Sequence, residues 1–289
     1  MNYQGNIIRP PSEADSIILQ VTVGCSHNRC SFCGAYRGEL FRIKDMMVIH
    51  EDLDFAARHC RNLKRVFLAD GDAMIIPRPR LASLLAAIRQ KLPWIRRISL
   101  YASAGSILGK SVAELKDLKS LGLDRVYMGL ETGHDPTLAA VCKGADSRTM
   151  LEAGARIREA GLFLSVTVLL GIAGIAKSSA HARTTAAVLN QMAPNQIAVL
   201  TLMLLENTEL YQEAVSGRFR MPAAGQLLTE LKTMLEHITL DRVMFHANHA
   251  SNYLPVKARL ARDKEELLLR IQAAVDGEID LQSDERRGL

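Results

Sequence analysis

Cys25, Cys30 and Cys33 fall within nine residues, in the run CSHNRCSFC. Clustered thiolates are soft ligands suited to zinc or iron–sulfur chemistry. Three of them, rather than four, leave a metal with an open position. Other residue types that carry chemistry recur further along. They are Asp70-Gly71-Asp72, Ser103, Glu131, the glycines Gly171 and Gly174, and Glu206 with Asn207. A last cluster is HANHASNY, which holds His246, Asn248, His249, Asn252 and Tyr253.

These residues need a scaffold, and the apolar pattern supplies one. Residues 17–23, IILQVTV, are short, apolar and β-branched, which predicts a buried strand. Gly24 lets the chain turn as it leaves that strand. The cysteines therefore occupy the loop past a strand's C-terminal end. Five more apolar runs follow, at 65–69, 97–101, 125–130, 163–170 and 196–204. Helices are expected between them at 45–60, 79–92, 111–121, 147–160 and 178–192. Pro79 in a first turn, Ser111 with Glu114 as a capping box, and Gly122 and Gly161 as stops mark their ends.

Six strands alternating with helices imply a parallel sheet with right-handed crossovers. Uniformly apolar strands fit a sheet covered on both faces. No Gly-x-Gly-x-x-Gly follows the first strand, which disfavours a dinucleotide fold. Polar residues at successive strand ends favour an α/β, partial (βα)6 TIM-like barrel, whose chemistry lies on that face. The expected organisation is an N-terminal arm at 1–15, a core at 16–221 and a C-terminal helical and strand extension at 222–289. The extension, with helices at 224–237 and 263–275 and a strand at 242–245, would cover or close the barrel mouth. The last dozen residues, being polar, are expected to fray.

Composition narrows the class. Hydrophobic residues make up 48% of the chain, enough for a substantial core. No apolar run reaches the roughly 20 residues that span a bilayer, and the N-terminus has no signal pattern. A cytoplasmic protein is the expectation, and there clustered cysteines favour metal or redox chemistry over disulfides. Five cysteines cannot all pair within one chain; Cys60 and Cys142 read as small buried or half-buried residues. The net charge of +5 is dispersed and indicates no nucleic-acid surface.

Taken together, these residues resemble the radical S-adenosylmethionine (SAM) enzymes. That family places CxxxCxxC in the loop after the first barrel strand, with an aromatic or apolar residue before the last cysteine. Here the spacing is CxxxxCxxC, one residue longer, and Phe32 stands before Cys33. VTVGCSHNRCSFC and YMGLETG look closest to the group around the anaerobic coproporphyrinogen oxidases and Elongator-type proteins. The resemblance implies that Cys25, Cys30 and Cys33 hold a site-differentiated, oxygen-sensitive [4Fe–4S] cluster whose open iron takes SAM. It implies reductive cleavage of SAM to a 5′-deoxyadenosyl radical that abstracts hydrogen from a substrate. A low-potential electron donor such as flavodoxin or ferredoxin is implied too.

By the same resemblance, Asp70, Gly71 and Asp72 stand where the SAM amino group is received. Ser103 and Glu131 stand where ribose and carboxylate bind, and Gly171 and Gly174 lie in the turn against adenine. Phe32 would shield the cluster and touch the adenine. His246 and His249 are candidates for proton donation or substrate binding. Each has a plainer alternative: a strand-to-loop turn for Asp70 to Asp72, an ion pair for Glu131, turn glycines at 171 and 174, and loop hydrogen bonds for His246 to Tyr253. A zinc-stabilised binding module on Cys25, Cys30, Cys33 and His27 is the competing function.

Overall fold

A computed structural model describes residues 1–287. Its strands are β1 (Ile17–Gln20), β2 (Thr22–Val23), β3 (Arg42–Ile43), β4 (Arg65–Ala69), β5 (Arg97–Ala102), β6 (Leu123–Glu131), β7 (Phe163–Leu170), β8 (Gln196–Thr201), β9 (Val243–Ala247) and β10 (Val256–Leu260). Helices separate β4 from β5, β5 from β6, β6 from β7 and β7 from β8. The fold is α/β with mixed parallel and antiparallel strands and flanking helices.

The chain packs as two compact units. The first comprises Met1–Asn28, Ala35–Met128 and Glu152–Leu164. In it β1, β4 and β5 pair in parallel, and β5 pairs in parallel with β6. Val66, Phe67, Leu68 and Ala69 of β4 are wholly buried, as a strand covered on both faces requires. Burying a side chain such as Phe67 is worth about 1.5–3 kcal/mol over leaving it in water. The helix Met46–His59 starts where the Asp45 side chain accepts from Met47 N at 2.7 Å. The helix Val112–Ser120 has the expected capping box. Ser111 Oγ accepts from Glu114 N, and the Glu114 carboxylate accepts from Ser111 N at 2.8 Å. Gly122 follows it at φ +108°, where an L residue would be strained.

The second unit comprises Arg29–Gly34, Gly129–Leu151 and Ser165–Leu289. β8 pairs in parallel with β7 and β9, and β10 runs antiparallel to β9. The helix Ala224–His237 packs against both Ser178–Met192 and Lys264–Val275.

The differences from expectation have physical reasons. The apolar run at 17–23 divides into β1 and the two-residue β2, because Thr22 and Val23 leave the parallel pairing to meet β3. The polar tail does not fray through residue 287. Gln282 N donates to Tyr253 O at 2.9 Å, and Arg287 Nε donates to Ser251 O at 2.9 Å. The Arg287 guanidinium also lies 3.5 Å from the centre of the Tyr253 ring, an attractive cation–π stack.

Candidate functional site

Within the first unit the site is built around Cys25 and the end of β4. Cys25 is partly exposed with a free thiol. It leaves Gly24, whose φ of +78° gives the turn expected there. A Cβ on Gly71 would lie 2.8 Å from Cys25 Cβ and 3.0 Å from Tyr36 Cε2. Glycine at 71 is therefore what seats the first cysteine.

Asp72 is wholly buried. Its carboxylate accepts from Ser26 Oγ at 2.7 Å, Ser103 N at 3.2 Å, Ser103 Oγ at 2.8 Å and Ser106 Oγ at 2.6 Å. A carboxylate offers about four acceptor sites, so these donors fill it. Ser103 is the N-cap of the helix Ala104–Leu108 and accepts from Ser106 N at 3.0 Å. Asp72 thus joins the residue beside Cys25 to the helix after β5. Ser26 and Ser106 had no place in the sequence reading. The signal was available in the S-x-x-S spacing of Ser103 and Ser106.

Asp70 is also buried. It accepts from Gln20 Nε2 at 2.7 Å and from the Tyr36 hydroxyl at 3.4 Å. Burial pushes its carboxyl up to about 6, against the opposing pull of Gln20, Tyr36, the Gly24 amide and the Lys44 charge. Gln20 is reciprocally bonded to the backbone of Gln4, so the N-terminal arm reaches Asp70 through one side chain.

Within the second unit, Cys30 and Cys33 are partly exposed, in no disulfide, and lie on a tight turn, with Cys33 N donating to Cys30 O at 3.2 Å. Ser31 anchors the turn from both sides. Its N–H donates to Val141 O and its carbonyl accepts from Leu210 N, each at 3.0 Å. Phe32 packs against Val141, Leu169, Ile172, Leu202 and Leu210, so its ring joins an apolar cluster. Asn207 Nδ2 donates to Gly34 O at 3.0 Å and fixes the exit of the turn.

Glu131 ends β6 at φ +62°, a strained conformation for a residue with a side chain. It pairs with Lys143 at 2.8 Å, both side chains being largely buried. A Cβ on Gly129 would fall 2.2 Å from Glu131 Oε1 and 3.0 Å from Lys143 Nζ. The ion-pair alternative for Glu131 is thus realised, with Lys143 a partner that sequence alone did not name.

Gly171 and Gly174 have φ of +82° and +68°. Gly171 N donates to Glu230 Oε1 at 2.7 Å. Cβ atoms would meet Met221 Cε at 2.8 Å from Gly171 and Arg220 O at 3.3 Å from Gly174. Close packing against the chain's own segment at 219–221 accounts for both glycines.

The histidine-rich segment is tied to the end of β8. His246 Nδ1 lies 3.3 Å from Gln196 Nε2. His249 Nδ1 accepts from Ser251 N at 3.1 Å, which makes it a turn cap, and burial lowers its pKa toward the neutral ring. Ser251 Oγ accepts from Thr201 N at 3.1 Å. Asn252 accepts from Thr201 Oγ1 at 2.9 Å and donates to Val199 O at 2.8 Å. Among the described residues no three His, Cys, Asp or Glu side chains stand together as ligands of a single metal ion, the three motif cysteines included. Nor is any helix among them long and apolar enough to cross a membrane.

Known proteins share this fold. The heme chaperone HemW of Bacillus subtilis (strain 168) is 23% identical over 190 residues, covering 65% of this chain and 48% of HemW. The chain thus spans about half the length of that curated relative. Methylornithine synthase (PylB) superposes with a TM-score of 0.57 at 15% identity, covering 88% of this chain and 68% of that one. Coproporphyrinogen III oxidase (HemN) from Escherichia coli superposes with a TM-score of 0.56 at 15% identity, covering 78% of this chain and 52% of that one. Likeness at this level shows the fold, the partial (βα)6 TIM-like barrel, and singles out no subgroup. The Radical SAM superfamily pattern matches residues 19–181, more than half of the sequence, and the chain belongs to the radical SAM superfamily.

Proposed function

We propose that this protein is an enzyme that holds a site-differentiated [4Fe–4S] cluster on Cys25, Cys30 and Cys33 and cleaves SAM reductively. The observation that carries the reading is the seat of Cys25. Gly71 leaves no room for a Cβ beside it, and Asp72 fixes the neighbouring Ser26. The donor set fits such a cluster by its chemistry: three partly exposed cysteines in no disulfide, each able to bind a different iron and so leave a fourth iron open. When bound, the cluster supplies the electron that cleaves SAM, yielding the 5′-deoxyadenosyl radical that takes hydrogen from a substrate.

The chain's own residues position and exclude. Asp72, filled by Ser26, Ser103 and Ser106, acts as a tie that holds the cysteine loop. Asp70 and the peptide at Gly71 are left to face the SAM ammonium group. Glu131, held by Lys143, is offered to the ribose hydroxyls. Gly171 and Gly174 shape the turn beside the adenine, and Phe32 closes the apolar side of the cysteine turn. We assign the core to 16–221, after the arm at 1–15, and substrate recognition to the extension at 222–289. His246 is its candidate for contact with substrate; His249 serves as a turn cap.

The motifs support a place near the coproporphyrinogen oxidase and Elongator-type group, a cytoplasmic setting and a flavodoxin or ferredoxin as electron donor. Anaerobic reconstitution with iron and sulfide, then SAM and dithionite, should release 5′-deoxyadenosine. Absence of that product, with a cluster EPR signal indifferent to SAM, would overturn the reading. Cys30→Ala should abolish both signals.

A further inference from the structure

A buried polar bridge crosses the second unit. Thr132 directly follows Glu131, His181 and Thr185 lie on the helix Ser178–Met192, and Glu230 lies on the helix Ala224–His237. Thr132, His181 and Thr185 are 0% exposed and Glu230 is 2% exposed. His181 Nδ1 is 2.7 Å from Thr132 Oγ1, and its Nε2 is 3.3 Å from Glu230 Oε1.

Each end of the bridge grips backbone that precedes or forms a turn. Glu230 accepts from Gly171 N at 2.7 Å through Oε1 and from Ser178 Oγ through Oε2. At the other end Thr132 Oγ1 accepts from His134 N at 2.9 Å, and Thr185 Oγ1 accepts from Gly133 N at 2.9 Å. Gly133 comes so near the helix that a Cβ would lie 2.6 Å from Thr184 O.

Gly171 N–H and Ser178 O–H both donate to Glu230. His181 Nε2 faces the carboxylate at 3.3 Å without completing a hydrogen bond, and Nδ1 meets the Thr132 hydroxyl. A wholly buried carboxylate is costly without such partners, so the arrangement resists substitution at any one member.

We propose that His181 and Glu230 form a positioning clamp that couples the Glu131–Gly133 strand end to the Gly171 turn and thereby sets the affinity for the adenosyl part of SAM. The proposal rests on the reading above that these two stretches hold SAM. Neither residue touches the reacting atoms in it; both act through the backbone they hold.

The test uses Thr132→Val, His181→Gln and Glu230→Gln, with Thr132→Ser as the conservative control. In the purified protein, amide hydrogen exchange around Gly171 should rise about tenfold in Thr132→Val, carried through His181 and Glu230. Thr132→Ser, which keeps the hydroxyl, should exchange like the parent. In reconstituted enzyme, equilibrium SAM binding should weaken about tenfold in Thr132→Val and His181→Gln, while iron content and cluster absorbance stay at parental levels. Unchanged exchange at Gly171 in Thr132→Val would overturn the clamp, as would raised exchange with unaltered SAM affinity. If the parent protein itself bound no SAM, the functional reading would fall, while the exchange data would still judge the coupling.

Discussion

In the first unit one carboxylate gathers neutral donors: Asp72 takes the hydroxyls of Ser26, Ser103 and Ser106 and the amide of Ser103. In the second unit the carboxylates face ionisable partners, Glu131 with Lys143 and Glu230 with His181. The two solutions differ in kind. Neutral donors satisfy the oxygens of Asp72 and fix geometry without cancelling its charge. An opposite charge such as Lys143 cancels charge, and its attraction is weakened by solvent or by a competing ligand. The first unit therefore reads as a rigid seat for a cysteine. The second reads as a set of contacts that a charged ligand can alter.

The comparison breaks most sharply at Gly71. Gly71→Ala places a methyl group 2.8 Å from Cys25 Cβ. It should cost about 3 kcal/mol of stability and most of the iron uptake, read by urea denaturation and by iron content after reconstitution. Asp72→Asn comes next. It exchanges an acceptor oxygen for a donor among four donors and should cost about 2 kcal/mol, with cluster loading reduced but measurable. If the first unit is the rigid one, SAM affinity per loaded cluster should not change in this variant.

Lys143→Met tests the other side of the contrast. Stability should drop by about 2 kcal/mol, because the largely buried Glu131 carboxylate loses its counter-charge, while SAM affinity changes more than iron content does. The last effect is a pH dependence. Burial holds the Asp70 carboxyl at about 6 instead of 3.8, so between those values the folded chain keeps a proton that the unfolded chain has released. Stability therefore falls as pH rises through that window. Asp70→Asn should flatten this slope in urea midpoints measured from pH 4 to pH 7.

Much of this was legible in the sequence, for identifiable reasons. β4, β7 and β8 announced themselves because strands buried on both faces are runs of apolar residues. The Ser111 capping box and the glycine stops are local rules, readable without tertiary structure. β10 was missed because only Val256 and Leu260 of its five residues are buried, which leaves little hydrophobic signal. β2 and β3, two residues each, are too short to leave a pattern.

At the site, the cysteines and Asp70 to Asp72 stood out by type and spacing, but partners distant in sequence did not. Gln20 on Asp70 and Asn207 on Gly34 depend on tertiary contact alone. His181 had a usable signal. It shares its helix face with Ala182, Thr185, Ala186 and Leu189, the buried side of a 3.6-residue period. Glu230 likewise interrupts an apolar face formed by Leu227, Leu231 and Met234.

The absent side chain at Gly129 reaches beyond this one protein. A methyl group there would occupy the space of the Glu131 carboxylate and crowd the Lys143 ammonium. The three positions thus form a linked triplet, and substitutions among them in homologous sequences should be correlated. Where the glutamate is lost, the glycine is released from its constraint and the lysine from its counter-ion. An alignment can then sort relatives into those that keep this charge arrangement and those that have replaced it, before any of them is purified.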